Sequence, residues 1–420
     1  ERTVLLGKVT IDQLTALIES NSDIAEFRRA KETARFFLEL ENKDQTDWVN
    51  ELRQRLRANP ETNIAVCILD TGANNGHALL EPILADSDCH AVEPDWGVND
   101  HDKHGTLMCG IAAYGDLLYH LQHSGPVEIK HCLESAKILP PRGFNDPVLY
   151  GDITIQGISR AEIQAPSRTH IGCMAVTSKD GRDYGRPSSW SAAIDKLTSG
   201  YDDNYKRLFI VSAGNLEDHS EWANYPHSNL TYSIRDPGQS WNALTVGAFT
   251  EKYVLTDPNL KDHIPLAQPS ELSPFSSTSC VWEEGEKSEK NWPLKPDIVL
   301  EGGNLAKAPD GTLSAHEDLS LLSTGHRPTQ HQFDWINATS AAAAQAAWMA
   351  AQIQARYPAA WPETIRGLLI HTAEWPEALK RQFPSADGRG TDHGKLLRIC
   401  GYGVPSLSKA LACASNSLTL

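Results

Sequence analysis

Residues 333–350 read Phe333-Asp334-Trp335-Ile336-Asn337-Ala338-Thr339-Ser340, then run on through Ala341-Ala342-Ala343-Ala344-Gln345-Ala346-Ala347-Trp348-Met349-Ala350. Alanine is the strongest helix former, so this run predicts a helix that lasts until Pro358 stops it. A Thr-Ser pair stands at its mouth. There a serine faces the unpaired N–H groups of the first turn and the positive end of the helix dipole, which favours negative charge developing beside it. A nucleophile in acyl transfer needs that environment. The plainer reading is that Thr339 or Ser340 only caps a buried helix, the commonest use of these residues. The rest of the chain decides between them.

The chain has 420 residues, the size of one large α/β enzyme. Its 38 basic and 54 acidic residues give 38 − 54 = −16. That balance argues for solubility and against a nucleic-acid groove or an anionic membrane surface. No apolar run reaches the roughly 20 residues needed to span a bilayer. The chain opens at Glu1 without a methionine, so we read it as a fragment or processed form and leave a removed leader open.

Eight cysteines are scattered, at 67, 89, 109, 132, 173, 280, 400 and 413, with no C-x-x-C pair. A zinc ribbon or a thioredoxin-type motif is not expected from that spacing. Cys67 and Cys173 lie in apolar runs, where a buried free thiol is the ordinary outcome. Without a disulfide-dense segment, a reducing cytoplasm is the expected location.

Residues 1–58 read as a separate N-terminal layer, with a short strand at Val4 to Thr10 and helical spacing over Asp12 to Ser20, Ile24 to Leu40 and Asp44 to Arg57. It is a packed extension, a propeptide-like inhibitor or a docking surface for a regulatory partner. Residues 59–420 form the remaining unit. Asn63-Ile64-Ala65-Val66-Cys67-Ile68-Leu69 has the continuous apolar pattern of a strand buried on both faces in a parallel sheet. It ends in Asp70-Thr71-Gly72, which places a carboxylate where open α/β sheets put their ligand sites. An Asp at a strand-to-loop turn also occurs for hydrogen bonding alone.

Asn99-Asp100-His101-Asp102-Lys103-His104-Gly105-Thr106 then delivers His104 to the start of an apolar helix. Two histidines and two aspartates in this loop suggest a metal, but His101 and His104 lack the further ligand of an HExxH-type spacing. His104 reads instead as a catalytic base.

Asp70-Thr71-Gly72, His104-Gly105-Thr106 and Thr339-Ser340-Ala341 fall in the order Asp, His, Ser, which resembles the chain order of the subtilisin-like serine peptidases, the subtilases. Further pieces follow in family order. They are Lys137-Ile138-Leu139, Ile210-Val211-Ser212-Ala213-Gly214-Asn215, Ala243-Leu244-Thr245-Val246-Gly247-Ala248 and Ser273-Pro274-Phe275-Ser276-Ser277. Lys295-Pro296-Asp297-Ile298-Val299, Pro362 to Leu369 and Gly401-Tyr402-Gly403-Val404-Pro405 complete the set, which covers about residues 60–412. Two features depart from the family. Ala338 stands where subtilases usually have Gly, and the Asp70-to-Ser340 interval is long. Insertions around Asp116–Ser135, Leu216–Gln239 and Ser279–Thr329 are expected to account for the length, the last as long surface loops rich in Gly, Pro and charge.

The resemblance implies a doubly wound α/β fold, with a mainly parallel sheet and helices on both faces. It also implies a serine endopeptidase in which Ser340 attacks, His104 transfers the proton, and Asp70 orients and stabilises the imidazole. Asn215 and the Ser340 N–H would bind the oxyanion. The strand Met174 to Ser178, with Thr177 and Ser178, would form a peptide-binding edge, and Ser212, Ala213 and Gly214 would wall the pocket for the residue on the acyl side. Trp190, Trp241, Trp335 and Trp348 are expected in the core. Protein or peptide substrates are implied, and no cofactor is needed for the chemistry. A structural calcium is possible from the family, although no EF-hand-like loop is present. Two other readings stay open: a catalytically silent scaffold used for protein binding, and a serine hydrolase selective for esters.

Overall fold

The Ile64–Asp70 strand is buried at every position, as a strand covered on both faces must be. The computed structural model describes residues 9–21, 24, 33–59, 61–178, 185–282, 292–385 and 390–416. In it this strand lies inside an eight-stranded sheet. The order is Glu271–Leu272, Leu244–Thr250, Leu208–Ser212, Thr169–Met174, Ile64–Asp70, Cys132–Lys137 and Cys89–Ala91, with Ile298–Glu301 also paired to Leu244–Thr250. Only the Glu271–Leu272 pairing is antiparallel. Register sets Asp70 opposite Lys137 and Ile68 opposite Cys173.

Alternation along the strand sends Val66 and Ile68 to one face and Cys67 and Leu69 to the other. The first face packs against the helices His104–Tyr114 and Ala338–Arg356, and the second against Tyr150–Gln164 and Ser189–Ser199. Helices on both faces of a mainly parallel sheet make this the expected doubly wound α/β fold. Eleven residues of the alanine-rich helix between Ala338 and Ala351 are small enough to bring its backbone close to the sheet and to the histidine helix, and they are buried.

The N-terminal segment is built into this core. A helix at Ile11–Ser20, closed by a Thr10–Gln13 capping box, buries none of its residues. The chain that follows does bury its apolar side: Ala34, Phe37, Val49 and Leu52 belong to the main core cluster. The Phe37 ring meets Phe333 edge to face at 6.1 Å. Gln45 is fully buried, and its side-chain oxygen accepts the N–H groups of Gln332 at 2.8 Å and Phe333 at 3.3 Å. After the Asn42–Arg55 helix, Leu56–Ala58 pairs in parallel with Val127–Ile129. Among the described residues, the helix expected over Ile24 to Leu40 is present as Arg35–Leu38; residues 25–32 lie outside the described residues, as does most of the expected strand at 4–10.

Two of the three expected insertions contain framework. Cys132–Lys137 is a buried strand of the central sheet, so the Asp116–Ser135 stretch ends inside it. Ser279–Thr329 carries Ile298–Glu301 of the same sheet, two strands of a three-stranded sheet, and Leu321–Thr324, which pairs with Phe333–Ile336. Its Gly and Pro residues cluster between short strands, which is why composition suggested loops. Trp190 is 3% exposed, as expected of a core residue, whereas Trp241 is 48% exposed.

Candidate active site

Asp70 is 1% exposed at the carboxyl end of its strand, and both of its carboxylate oxygens lie 2.9 Å from Nδ1 of His104. The contact depends on very close backbone packing. A Cβ on Gly105 would sit 2.0 Å from the Gly72 carbonyl oxygen, so only glycine lets the start of the histidine helix approach the aspartate turn. Thr71 locks the approach: its hydroxyl accepts the Gly105 N–H and donates to Asp100, both at 2.9 Å. Asp100 in turn accepts the Thr106 N–H at 2.8 Å, the Thr106 hydroxyl at 2.6 Å and the Asp102 N–H at 3.0 Å. Asp100 thus ties the aspartate turn to the histidine helix.

Burial disfavours the charged form of His104, but the charge of Asp70, its hydrogen bond, and then the charges of Asp100 and Asp102 outweigh it. The net effect raises the imidazole above its ordinary value. Nδ1 is held by Asp70, which leaves Nε2 as the nitrogen that can exchange a proton with a nucleophile.

Ser340 is 6% exposed, in the first turn of the Ala338–Arg356 helix. Of the first three helical N–H groups, that of Ala338 donates to the Gly302 carbonyl at 2.6 Å and that of Thr339 to the Asn215 side-chain oxygen at 3.0 Å. Among the described residues the Ser340 N–H has no partner. The Thr339 hydroxyl also donates to Asn215 Oδ1, at 2.5 Å. With that oxygen doubly occupied, the Asn215 amide is fixed in orientation and its NH₂ group remains for a ligand. Ala338, at the position where the resemblance leads one to expect glycine, has φ +63°. An alanine held there costs roughly 1–2 kcal/mol of backbone strain, and its N–H bond to Gly302 helps to hold it.

The structure therefore brings Asp70 onto His104 and Asn215 onto the turn that carries Ser340. The histidine helix and the serine helix pack against each other. No hydrogen bond joins Ser340 to His104 among the described residues, a looseness common in free enzymes.

The two segments expected to wall a substrate cleft differ from expectation in one respect. The strand ends at Met174, and Ala175 to Ser178 continue as half-buried irregular chain, with the Ser178 N–H donating to the Asp236 carbonyl at 2.8 Å. Thr177 and Ser178 are thus not part of a strand in the free chain. On the other side Ser212, Ala213 and Gly214 are buried, and the Gly214 carbonyl accepts the Ser277 hydroxyl at 2.7 Å. Sequence reasoning did not assign Asp100, Thr71 or Thr339 a supporting role. The position of Asp100 four residues before His104 was the one available signal.

The subtilase family model matches residues 61–403 of this chain, well over half of it. The chain is a subtilase. It therefore belongs to a family of serine peptidases. It is 27% identical over 243 residues to the uncharacterized protein y4bN of Sinorhizobium fredii, covering 54% of this chain and 52% of that one. It is 24% identical over 151 residues to an uncharacterized protein of Aquifex aeolicus, covering 36% and 57%. This subtilase thus spans about half the length of the curated relatives it matches. Among solved structures it is similar to Sphericase, at 19% identity and TM-score 0.49, with 75% of this chain and 84% of that one covered. It is also similar to the epidermin leader peptide processing serine protease of Staphylococcus aureus, at 17% identity and TM-score 0.49, with 86% and 78% covered. No helix among its described residues is long and apolar enough to cross a membrane.

Proposed function

We propose that this subtilase is a serine endopeptidase that hydrolyses peptide bonds through an acyl-enzyme formed on Ser340. The observation that carries the reading is the paired contact of His104 Nδ1 with both oxygens of the buried Asp70 carboxylate. That contact fixes the tautomer in which Nε2 takes the Ser340 proton as Oγ bonds to the scissile carbonyl carbon. The imidazolium then protonates the departing amine, and water repeats the sequence to release the acid. The tetrahedral oxyanion is assigned to the Ser340 N–H and the Asn215 NH₂ group, which have no partner among the described residues. Neither step calls for a cofactor.

In this reading residues 33–58 brace the catalytic unit. Gln45 and Phe37 hold the start of the strand that runs into Ser340, so restraint of activity is assigned to partners acting on this brace and not to its removal.

A labelled fluorophosphonate tests the proposal. The expected result is one adduct, mapped by mass spectrometry to Ser340 and lost in His104→Ala. An unlabelled wild-type protein, or an adduct that forms as fast without His104, would favour a silent scaffold.

A further inference from the structure

One short segment lies between the two substrate walls. The Ser178 N–H donates to the Asp236 carbonyl at 2.8 Å, and the Arg235 N–H donates to the Ala213 carbonyl at 2.9 Å. Arg235-Asp236 therefore bridges the 175–178 wall to the 212–214 wall and makes the floor between them. Asp236 is anchored from below, since its carboxylate accepts the Ser188 hydroxyl at 2.5 Å and the Gln239 amide at 2.8 Å. The Arg235 side chain turns the other way. A Cβ on Gly214 would meet Arg235 Cγ, Cβ and Cδ at 2.7, 2.8 and 2.9 Å, so the arginine stem lies flat over Gly214. Gly214 directly precedes Asn215. Past the stem, Nη1 reaches Glu217 Oε1 at 2.7 Å; the arginine side chain is 13% exposed and the glutamate 46%.

Resting on the peptidase reading, we propose that Arg235 sets specificity and that this pocket takes a carboxylate side chain, aspartate or glutamate, on the acyl side of the cleaved bond. A guanidinium offers five N–H donors in a planar fork. Among the described residues one of them is used, by Glu217. A substrate carboxylate can take two donors side by side, the geometry in which Arg outperforms any point charge. Glu217 stands on the solvent side, 46% exposed, and competes with a substrate carboxylate for the same guanidinium. An apolar side chain entering instead would cover a charge and leave its donors unpaired, and a lysine would meet a like charge before it reached Glu217.

The test uses peptidyl phosphonate esters that differ only in the side chain beside phosphorus: glutamate, alanine, phenylalanine or lysine. Second-order rates of adduct formation at Ser340 are compared for wild type, Arg235→Gln, Arg235→Glu and Glu217→Gln. Each protein is first matched by its thermal midpoint, so that a folding defect is seen directly. The glutamate probe is expected to react at least about tenfold faster than the phenylalanine and lysine probes in wild type. Arg235→Gln should erase that lead and Arg235→Glu should hand it to lysine. Glu217→Gln, which removes the competing carboxylate, should enlarge it. A wild-type lead for lysine or phenylalanine, or an order of rates unmoved in both Arg235 variants, overturns the assignment while leaving the peptidase reading standing. Failure of every probe to react at Ser340 overturns the peptidase reading and this assignment with it.

Discussion

Asn215 and Thr339 are joined twice: the asparagine side-chain oxygen accepts the Thr339 N–H at 3.0 Å and its hydroxyl at 2.5 Å. The group proposed to stabilise the oxyanion is thereby held by the residue beside the proposed nucleophile, so the donor is tied to the turn that carries the attacking atom. Preorganisation of this kind lowers a barrier because no dipole has to reorient as charge develops.

Asn215→Ala is expected to lower kcat by roughly 10²–10³ with KM little changed, because the lost interaction forms mainly in the transition state. Steady-state kinetics on one peptide substrate measure both. A rise in KM at unchanged kcat would mean that Asn215 only holds substrate.

The pH dependence follows from His104. Its imidazole must be neutral to act as base, and the aspartates raise its pKa, so activity should climb with pH through a midpoint above the ordinary histidine value of about 6.5. The ionisable groups around it are Asp70 on the strand and Asp100, His101, Asp102 and Lys103 on its own loop. Of these, Asp102 is exposed and engaged only through its backbone N–H among the described residues. Removing its charge in Asp102→Asn should move the acid limb of the kcat/KM profile downward. A limb that stays put or moves up would show that Asp102 does not act on His104.

Ala338→Gly relieves the positive φ. The expected gain is about 1 kcal/mol of stability by denaturant titration, since glycine pays no steric penalty there. A loss of stability would mean that the alanine methyl, 8% exposed in its apolar cluster, contributes more than the strain costs.

Phe37→Ala tests the N-terminal brace. Phe37 is fully buried against Trp48 and Phe333, so its truncation should cost about 3–5 kcal/mol. Turnover should fall along with the unfolding midpoint. A propeptide-like inhibitor would behave in the opposite way, with activity rising as the contact weakens.

The parts of the site legible in the sequence were those written in short local runs. Asp70 ends an apolar strand, His104 opens an apolar helix and Ser340 opens an alanine-rich one, and each placement follows from periodicity or propensity alone. What joins them was not legible. Thr339 and Asn215 lie 124 residues apart, and the use of Asp100 depends on where Thr71 sits after the fold closes. The floor residue Arg235 carries no motif; its place comes from hydrogen bonds to two separate walls. Composition also misled. Gly and Pro in Ser279–Thr329 mark tight links between short strands. Residues 1–58 read as a separate layer, and which of its positions reach the main core, Phe37 and Leu52 among them, shows only once the chain is folded.

The most direct test of the central claim is proteolysis of a peptide library by wild type and Ser340→Ala side by side. Alanine suits the helix start, so the variant should fold like wild type while its turnover falls on the order of 10⁶-fold. Cleavage of internal bonds by wild type alone is the expected result; turnover by Ser340→Ala near the wild-type level would contradict the account.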